Sequence, residues 1–316
     1  MKKLLLYLFL SGFTVPVFAQ VTDSLTNDIN ALLDSSQSTV KAPKQYVIAT
    51  FKSTRVINGH SVENVGKGIL DFRIDHRFGA LNSGVTTFYG FDNATTKIAF
   101  DYGLTNWLMI GIGRSTLYKE YDGSLKIKLL RQTTNNQNPV SLSYVGGLSV
   151  QSLPAPQLAA GDTYYFSNRV TYFNELLIAR KFSNSFSLQL MPVHIHYNLV
   201  DSTKDHNDLL ALGMGARLKV SRRIAITGEY FYTFDPLSNV GGQPVYNALS
   251  VGIDIETGGH VFQLFFTNST GITERTFIGQ TTGNWAKGDI HFGFNISRVF
   301  TIIKPKGFEN SRNKIW

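Results

Sequence analysis

Cysteine is missing altogether from the 316 residues. That excludes a disulfide framework, thiolate metal sites, iron–sulfur ligation and thiol catalysis. Charged residues are scarce at 16%, and the formal net charge of +8 is spread along the chain. Nucleic-acid binding needs Lys and Arg gathered on one face, so that class of partner is not expected. Proline numbers only 9. What the chain does have is 28 Gly, 23 Phe and 14 Tyr, a composition too aromatic for a disordered polymer.

Residues 1–19 read as a secretory signal peptide. Met1 to Lys3 is basic, Leu4 to Phe13 is apolar, and Val17-Phe18-Ala19 has the small-residue spacing of a cleavage site. The apolar run is too short for a helical anchor, which needs roughly 20 residues. With no Cys after it, lipid anchoring through a modified N-terminal cysteine is excluded. Nothing later in the chain reads as a helical span. An exported chain of this kind is either free in solution or embedded as a closed β-barrel.

Periodicity favours the barrel. Leu70, Phe72, Ile74 and Phe78 alternate with Asp71, Arg73, Asp75 and Arg77, giving a strand with one oily and one ionic face. The same pattern sets Ile98 and Phe100 against Lys97 and Asp101, and Leu125, Ile127 and Leu129 against Lys126 and Lys128. It returns with Leu210 to Leu218 against Arg217 and Lys219, with Val251, Ile253 and Ile255 against Asp254 and Glu256, and with Ile290 to Ile296 against His291. Several of these runs are long enough for a tilted strand to cross a bilayer, and Tyr and Trp recur near their ends: Tyr102, Trp107, Tyr118, Tyr144, Tyr172, Tyr197, Tyr230, Tyr232, Tyr246 and Trp285.

Tight links at Thr105-Asn106, Ser183 to Ser185, Ser221-Arg222 and Thr257 to Gly259 alternate with long polar stretches at 79–93, 152–166, 198–207, 234–245 and 270–287. Short turns on one side and long loops on the other are the pattern of an outer-membrane barrel. The expected fold is therefore all-β: a single closed antiparallel transmembrane β-barrel of about 12 strands, with 10 to 14 open, spanning residues 45–300. Gln45 to Asn58 also reads as extended, and its parity favours a lumen or periplasmic segment over an added strand. Residues 20–44 form a polar leader in which Leu25, Ile29, Leu32 and Leu33 have helical spacing, and residues 301–316 a C-terminal tail. Phe292, Phe294, Ile296 and Phe300 resemble the terminal-strand signal that barrel-assembly machinery reads, here followed by the tail.

Four stretches, Thr54 to Glu63, Asp75 to Gly79, Ile253 to Gln263 and Gly288 to Phe300, resemble the β-barrel proteins of Bacteroidota grouped as domain of unknown function 5777. The resemblance runs from about Lys44 to Lys306 and implies a barrel in the outer membrane of a Gram-negative bacterium. It brings no activity and no catalytic residues.

The inward face then carries whatever function there is. Asp71, Arg73, Asp75, Arg77, Lys97, Asp101, Lys126, Lys128, Glu175, His194, His196, Arg217, Lys219, Glu229, Asp254, Glu256 and His291 are expected to line the lumen. Mixed signs of charge either pair across strands and close it or coat a narrow water path. Pro192 suggests a bulge that turns His194 and His196 inward, where two imidazoles would supply part of a metal site, with no third ligand identifiable. The Asn58-Gly59-His60-Ser61 run invites comparison with barrel hydrolases, but adjacent His and Ser in a turn is ordinary turn chemistry. Gly66-x-Gly68 and Gly111-x-Gly113 lack the strand-loop-helix setting of a phosphate cradle and read as glycines that leave lumen space. No catalytic, metal or cofactor site is expected. Outer-membrane lipid, the assembly machinery and a periplasmic or surface protein are the expected partners. A narrow passive channel or small-solute transporter leads, followed by a partner-anchoring barrel without conductance, with a membrane-embedded hydrolase behind both.

Overall fold

The computed structural model describes residues 28–32, 44–155 and 163–304. The signal peptide, most of the polar leader and residues 305–316 of the tail lie outside the described residues. Within the leader, residues 28–32 form a short exposed helix, α1, which takes in Ile29 and Leu32 of the helical spacing.

From Gln45 onward the chain builds a closed antiparallel barrel of twelve strands. These are β1 (Ile69–Ala80), β2 (Ala94–Gly103), β3 (Leu108–Ser115), β4 (Glu120–Leu130), β5 (Ser141–Gln151) and β6 (Val170–Lys181). Then follow β7 (Phe186–Tyr197), β8 (Asp208–Lys219), β9 (Ile224–Thr233), β10 (Ala248–Thr257), β11 (His260–Thr267) and β12 (His291–Thr301). Each strand pairs with its sequence neighbours, and β1 closes the ring on β12 in a register running from Ile69 opposite Thr301 to Arg77 opposite Gly293.

Alternation along each strand sorts the side chains. Ile98 and Phe100 on β2, Ile110 and Ile112 on β3, Leu210, Leu212 and Met214 on β8, and Val251 and Ile253 on β10 stand exposed on the outer wall. Asp71, Arg73, Asp75 and Arg77 on β1 and Lys97 and Asp101 on β2 are buried inside. A continuous exposed apolar band is costly in water and suits hydrocarbon.

Four connections at one end are short, at 104–107, 182–185, 220–223 and 258–259; those at 81–93, 152–169, 198–207, 234–247 and 268–290 are long and lie at the other end. Two connections depart from this pattern. At the loop end, 116–119 is short, and at the turn end 131–140 is long. The second has a physical reason: it is the edge on which the incoming chain docks. Val47 N–H donates to Gln132 O at 2.9 Å, Thr134 N–H to Gln45 O at 3.0 Å, and the Arg131 guanidinium lies 4.1 Å over the Tyr46 ring.

From there the chain enters the barrel. Residues 50–62 are buried apart from Lys52 and fold back on themselves, with Val56 N–H on Gly59 O at 2.8 Å and Ser61 N–H on Thr54 O at 3.0 Å. The extended stretch Gln45 to Asn58 thus ends in the lumen and adds no strand to the wall. A second insert comes from the loop end, where residues 268–279 are almost wholly buried and include the one-turn helix α2 (Glu274–Phe277), opened by a capping box between Thr273 and Thr276.

The two inserts rest on different linings. Val145, Phe173, Leu177, Met191, Val193, Ile195, Leu209 and Phe231, from β5 to β9, form an apolar cluster with Phe277 and Ile278 of the second insert. Tyr197, read from sequence as an interface anchor, belongs to this inner cluster, with its hydroxyl donating to Arg275 O at 2.8 Å. The ionic row of β12, β1, β2 and β4 faces the hairpin. At the tip a Cβ on Gly59 would sit 2.7 Å from the Phe231 ring. Replacing Gly59 with Val should therefore lever the tip off its seat at a cost of about 1–3 kcal/mol. Limited proteolysis of the detergent-purified protein should then cut within 45–66 in Gly59→Val and leave that segment intact in the wild type.

Candidate functional site

The centre of the barrel is built around one carboxylate. Glu229 on β9 accepts the backbone N–H groups of Ile57, Asn58 and Gly59 at 3.1, 2.8 and 3.1 Å, and the Asn58 amide at 2.7 Å. Three consecutive amides converging on one anion make a nest, with the usual roles reversed in that the wall supplies the anion and the insert the nest. Asn58 also accepts from Arg77 Nη2 at 2.7 Å and donates to Ser250 Oγ at 3.0 Å.

The hairpin arms are held in the same way. Lys126 Nζ donates to the carbonyls of Thr54, Ser61 and Glu63 at 3.0, 3.0 and 3.1 Å. Gln189 binds both ways, giving to His60 O and taking from Val62 N–H, each at 2.7 Å. Gln263 donates to Val56 O at 2.6 Å and Asn295 to Ile57 O at 2.8 Å. Thr54 Oγ1 donates to Asp101 at 2.7 Å and accepts from Arg73 at 2.9 Å. Asn295 takes the inward side that alternation assigns it, whereas Gln189, Gln263 and Ser250 were not singled out from sequence. Their signal was inward parity on strands already recognised, masked because they are uncharged.

Wall charges also pair with each other and with the hairpin base. Arg73 bridges Asp75 at 3.0 Å and Asp101 at 3.1 Å. Asp71 accepts from Ser297 at 2.6 Å, and Lys97 meets Asp122 at 2.7 Å. Arg217 reaches Glu256 at 2.5 Å, and Lys52 at the hairpin base reaches the same carboxylate at 3.1 Å. Lys128 lies 3.6 Å from Glu63. Lys219 shares the inner face with Arg217, and His291 is turned inward with Nδ1 3.0 Å from Phe78 O. Gly111 and Gly113 serve as expected. A Cβ at either would meet Asp101 at 2.5 Å or Lys97 at 2.6 Å, so they leave room for those side chains.

The two inserts meet at an ion pair between Arg55 of the hairpin and Glu274 of α2. His60 Nε2 stands 3.5 Å from the same carboxylate, at the outer limit of a useful contact, and neither ring nitrogen has a hydrogen-bond partner. Both oxygens of the buried Glu175 are also unpartnered. Burial pushes the Glu274 carboxyl up, but the charges of Arg55 and Lys97 and the hydrogen bonds to it together outweigh burial, and the net displacement is downward. Burial, with repulsion from Arg55, Lys126, Arg73 and Lys97, holds the His60 imidazole well below its usual range. The Ser61 hydroxyl donates to Ser53 O at 2.6 Å and not to the His60 ring.

The inward placement of His194 and His196 is wrong. The β6–β7 register is the same on both sides of Pro192, with Glu175 opposite Val193 and Ile178 opposite Leu190, and the β7–β8 register runs through it unbroken. Pro192 removes a donor without inserting a residue, so there is no bulge. Val193, Ile195 and Tyr197 point inward, and both histidines stand on the outer wall.

A cylinder with an apolar outside and an ionic inside is a membrane β-barrel. The chain belongs to the family described as membrane-bound β-barrel domain, domain of unknown function 5777, whose model matches residues 51–300. No curated protein matches it. Among solved structures it is similar to the NanC porin, at 7% identity over 74% of this chain and 100% of that one, with a TM-score of 0.47. It is also similar to an outer-membrane channel from Pseudomonas putida F1, at 12% identity over 76% and 98% with a TM-score of 0.45. The KdgM porin, solved with oligogalacturonate, gives 10% identity over 73% and 99% with a TM-score of 0.43.

The His60 environment fixes a pH dependence. Released into water, the imidazole returns to its ordinary pKa near 6.5. A histidine whose docked pKa is depressed stabilises the docked state fully above that value and loses the contribution as pH falls through it, by about 1.4 kcal/mol per unit. A spin label on Ser53→Cys, in a chain with no other cysteine, should gain mobility between pH 7 and pH 5. Adding His60→Gln should flatten that change.

Proposed function

We propose that this chain is an outer-membrane channel for small solutes, closed at rest by its own N-terminal hairpin and exported by the segment at residues 1–19. The observation that carries this reading is how the hairpin is held: on the β12–β4 side it is fixed by hydrogen bonds and charges, with little apolar packing. Replacing buried ion pairs with apolar residues is often neutral or stabilising, so a permanently filled lumen has no need of this wall. A lumen that fills with water does.

Two further features favour movement. The junction of Arg55, His60, Glu175 and Glu274 leaves buried polar atoms unpartnered, which costs about 1–3 kcal/mol for each such group and falls away when water enters. A cavity of about 510 Å³, lined by Lys52, Glu63, Asp71, Glu256 and Ser297, lies beside the hairpin base at the turn end. Withdrawal of the hairpin toward that end would join it to the rest of the ionic lumen. The path would be narrow, since twelve strands enclose little free width and β5 to β9 keep their apolar lining. Phe292, Phe294, Ile296 and Phe300 all lie on the outer face of β12, the orientation in which assembly machinery would meet them.

A closed barrel that anchors a periplasmic or surface partner is the second reading, favoured by the apolar cluster that seats α2. Planar-bilayer recording separates the two. The full chain should be nearly silent, and a variant lacking residues 51–63 should conduct in stable steps. A deleted variant that folds, as judged by heat-modifiable gel migration, and still stays silent would overturn the channel.

A further inference from the structure

We propose that His194, His196 and Asp208 form a binding site for a late first-row divalent cation, of the zinc class, on the outer wall at the loop end of the barrel. Two features of the strand geometry make the site. Alternation along β7 puts residues 194 and 196 on the same face, and the β7–β8 register sets His196 directly opposite Asp208. The third ligand that the His-x-His spacing lacks is thus supplied by the neighbouring strand, from a residue outside the ionic rows.

The donor atoms already converge. His194 Nε2 lies 2.9 Å and His196 Nδ1 2.8 Å from the same Asp208 oxygen, Oδ1. Ligands held at about 2.1 Å from a tetrahedral zinc are separated by ~3.4 Å, so both nitrogen–oxygen spacings would open by about half an ångström to admit a shared ion. In the positions they occupy here no group of three His, Cys, Asp or Glu side chains among the described residues is placed to hold a metal ion, so the site requires these three side chains to shift. Here the carboxylate accepts a hydrogen bond from each ring, and the metal would enter by taking the place of those two hydrogens. The side chains are free to adjust, being 41%, 37% and 59% exposed. No Lys or Arg occupies the paired positions flanking them: Asn174 lies opposite His194 and Tyr172 opposite His196 on β6, and Leu210 opposite His194 on β8.

Two imidazoles with one carboxylate select zinc, copper or nickel over magnesium or calcium, whose preferred ligands are all oxygen. The remaining coordination positions face outward, away from the barrel wall. Nothing in this site touches the hairpin or the lumen, so it stands apart from the channel reading.

The test is calorimetric titration of the folded, detergent-purified full chain with Zn²⁺ at pH 7.5, paired with Co²⁺ absorption to report ligand type. One equivalent should bind in the micromolar range. His194→Ala, His196→Ala and Asp208→Asn should each weaken binding by about tenfold or more and abolish the Co²⁺ visible bands. His206→Ala, which removes another exposed histidine in the 198–207 loop, should change neither. Absence of Zn²⁺ binding, or binding that survives both His→Ala variants, would overturn the site. Mg²⁺ competing at equal concentration would do the same.

Discussion

An ionised side chain shut away from water must find a partner, and the interior of this barrel is arranged by that requirement. Several kcal/mol of desolvation attach to each buried ion. Closing the sheet commits Asp71, Arg73, Asp75, Arg77, Lys97, Asp101, Lys126 and Glu229 to the inside; six of them find partners on the wall, and Lys126 and Glu229 find theirs on the hairpin. The hairpin makes up the difference with its backbone. Its amides neutralise Glu229 and its carbonyls receive Lys126. Because these groups belong to the main chain, the match depends on hairpin conformation more than on side-chain identity, with Gly59 the exception, since it must let the tip approach Phe231.

The two inserts consequently differ in kind. α2 is seated by Phe277 and Ile278 in apolar packing, which water does not replace. On the β12–β4 side the hairpin is seated by contacts that water replaces at modest net cost, since a typical hydrogen bond contributes only about 0.5–1.5 kcal/mol beyond its hydrated equivalent, while Phe51, Val56 and Val62 pack with Ala179 of β6. Joined at Arg55 and Glu274, they would make, on the channel proposal, a closure with one fixed half and one releasable half. The direction of release follows from the chain path, because the hairpin is tethered at the turn end through Gln45 to Val47.

Much of this fold was legible because a barrel repeats a single local rule. Period-two alternation over strands such as Leu70 to Phe78 marks both faces, and the short and long connections mark both ends, so strand number and the ionic rows could be read from the chain. The docking partners could not. Glu229 and Asn58 lie 171 residues apart, and nothing local to either announces the other. Gln45 to Asn58 was legible as extended and as no ordinary wall strand, but its fold-back at Gly59 depends on the seat at Phe231 and Glu229. The misplacement of His194 and His196 has a narrower origin. A proline inside a strand is compatible with a bulge or with a simple missing donor, and only the register on its two flanks separates these.

That error shows why parity is the controlling quantity in such a chain. One inserted residue at Pro192 would have turned His194 and His196 into a lumen where Arg55 and Lys126 already crowd His60, and two more imidazoles there would face the same like-charge repulsion. It would also have turned Val193 and Ile195 outward and removed the apolar seat of α2. The uninterrupted ladder through Pro192 therefore serves the interior packing. The histidines stand outside because β7 is required to present Met191, Val193, Ile195 and Tyr197 within, and their meeting with Asp208 is set by the same register that keeps the second insert in place.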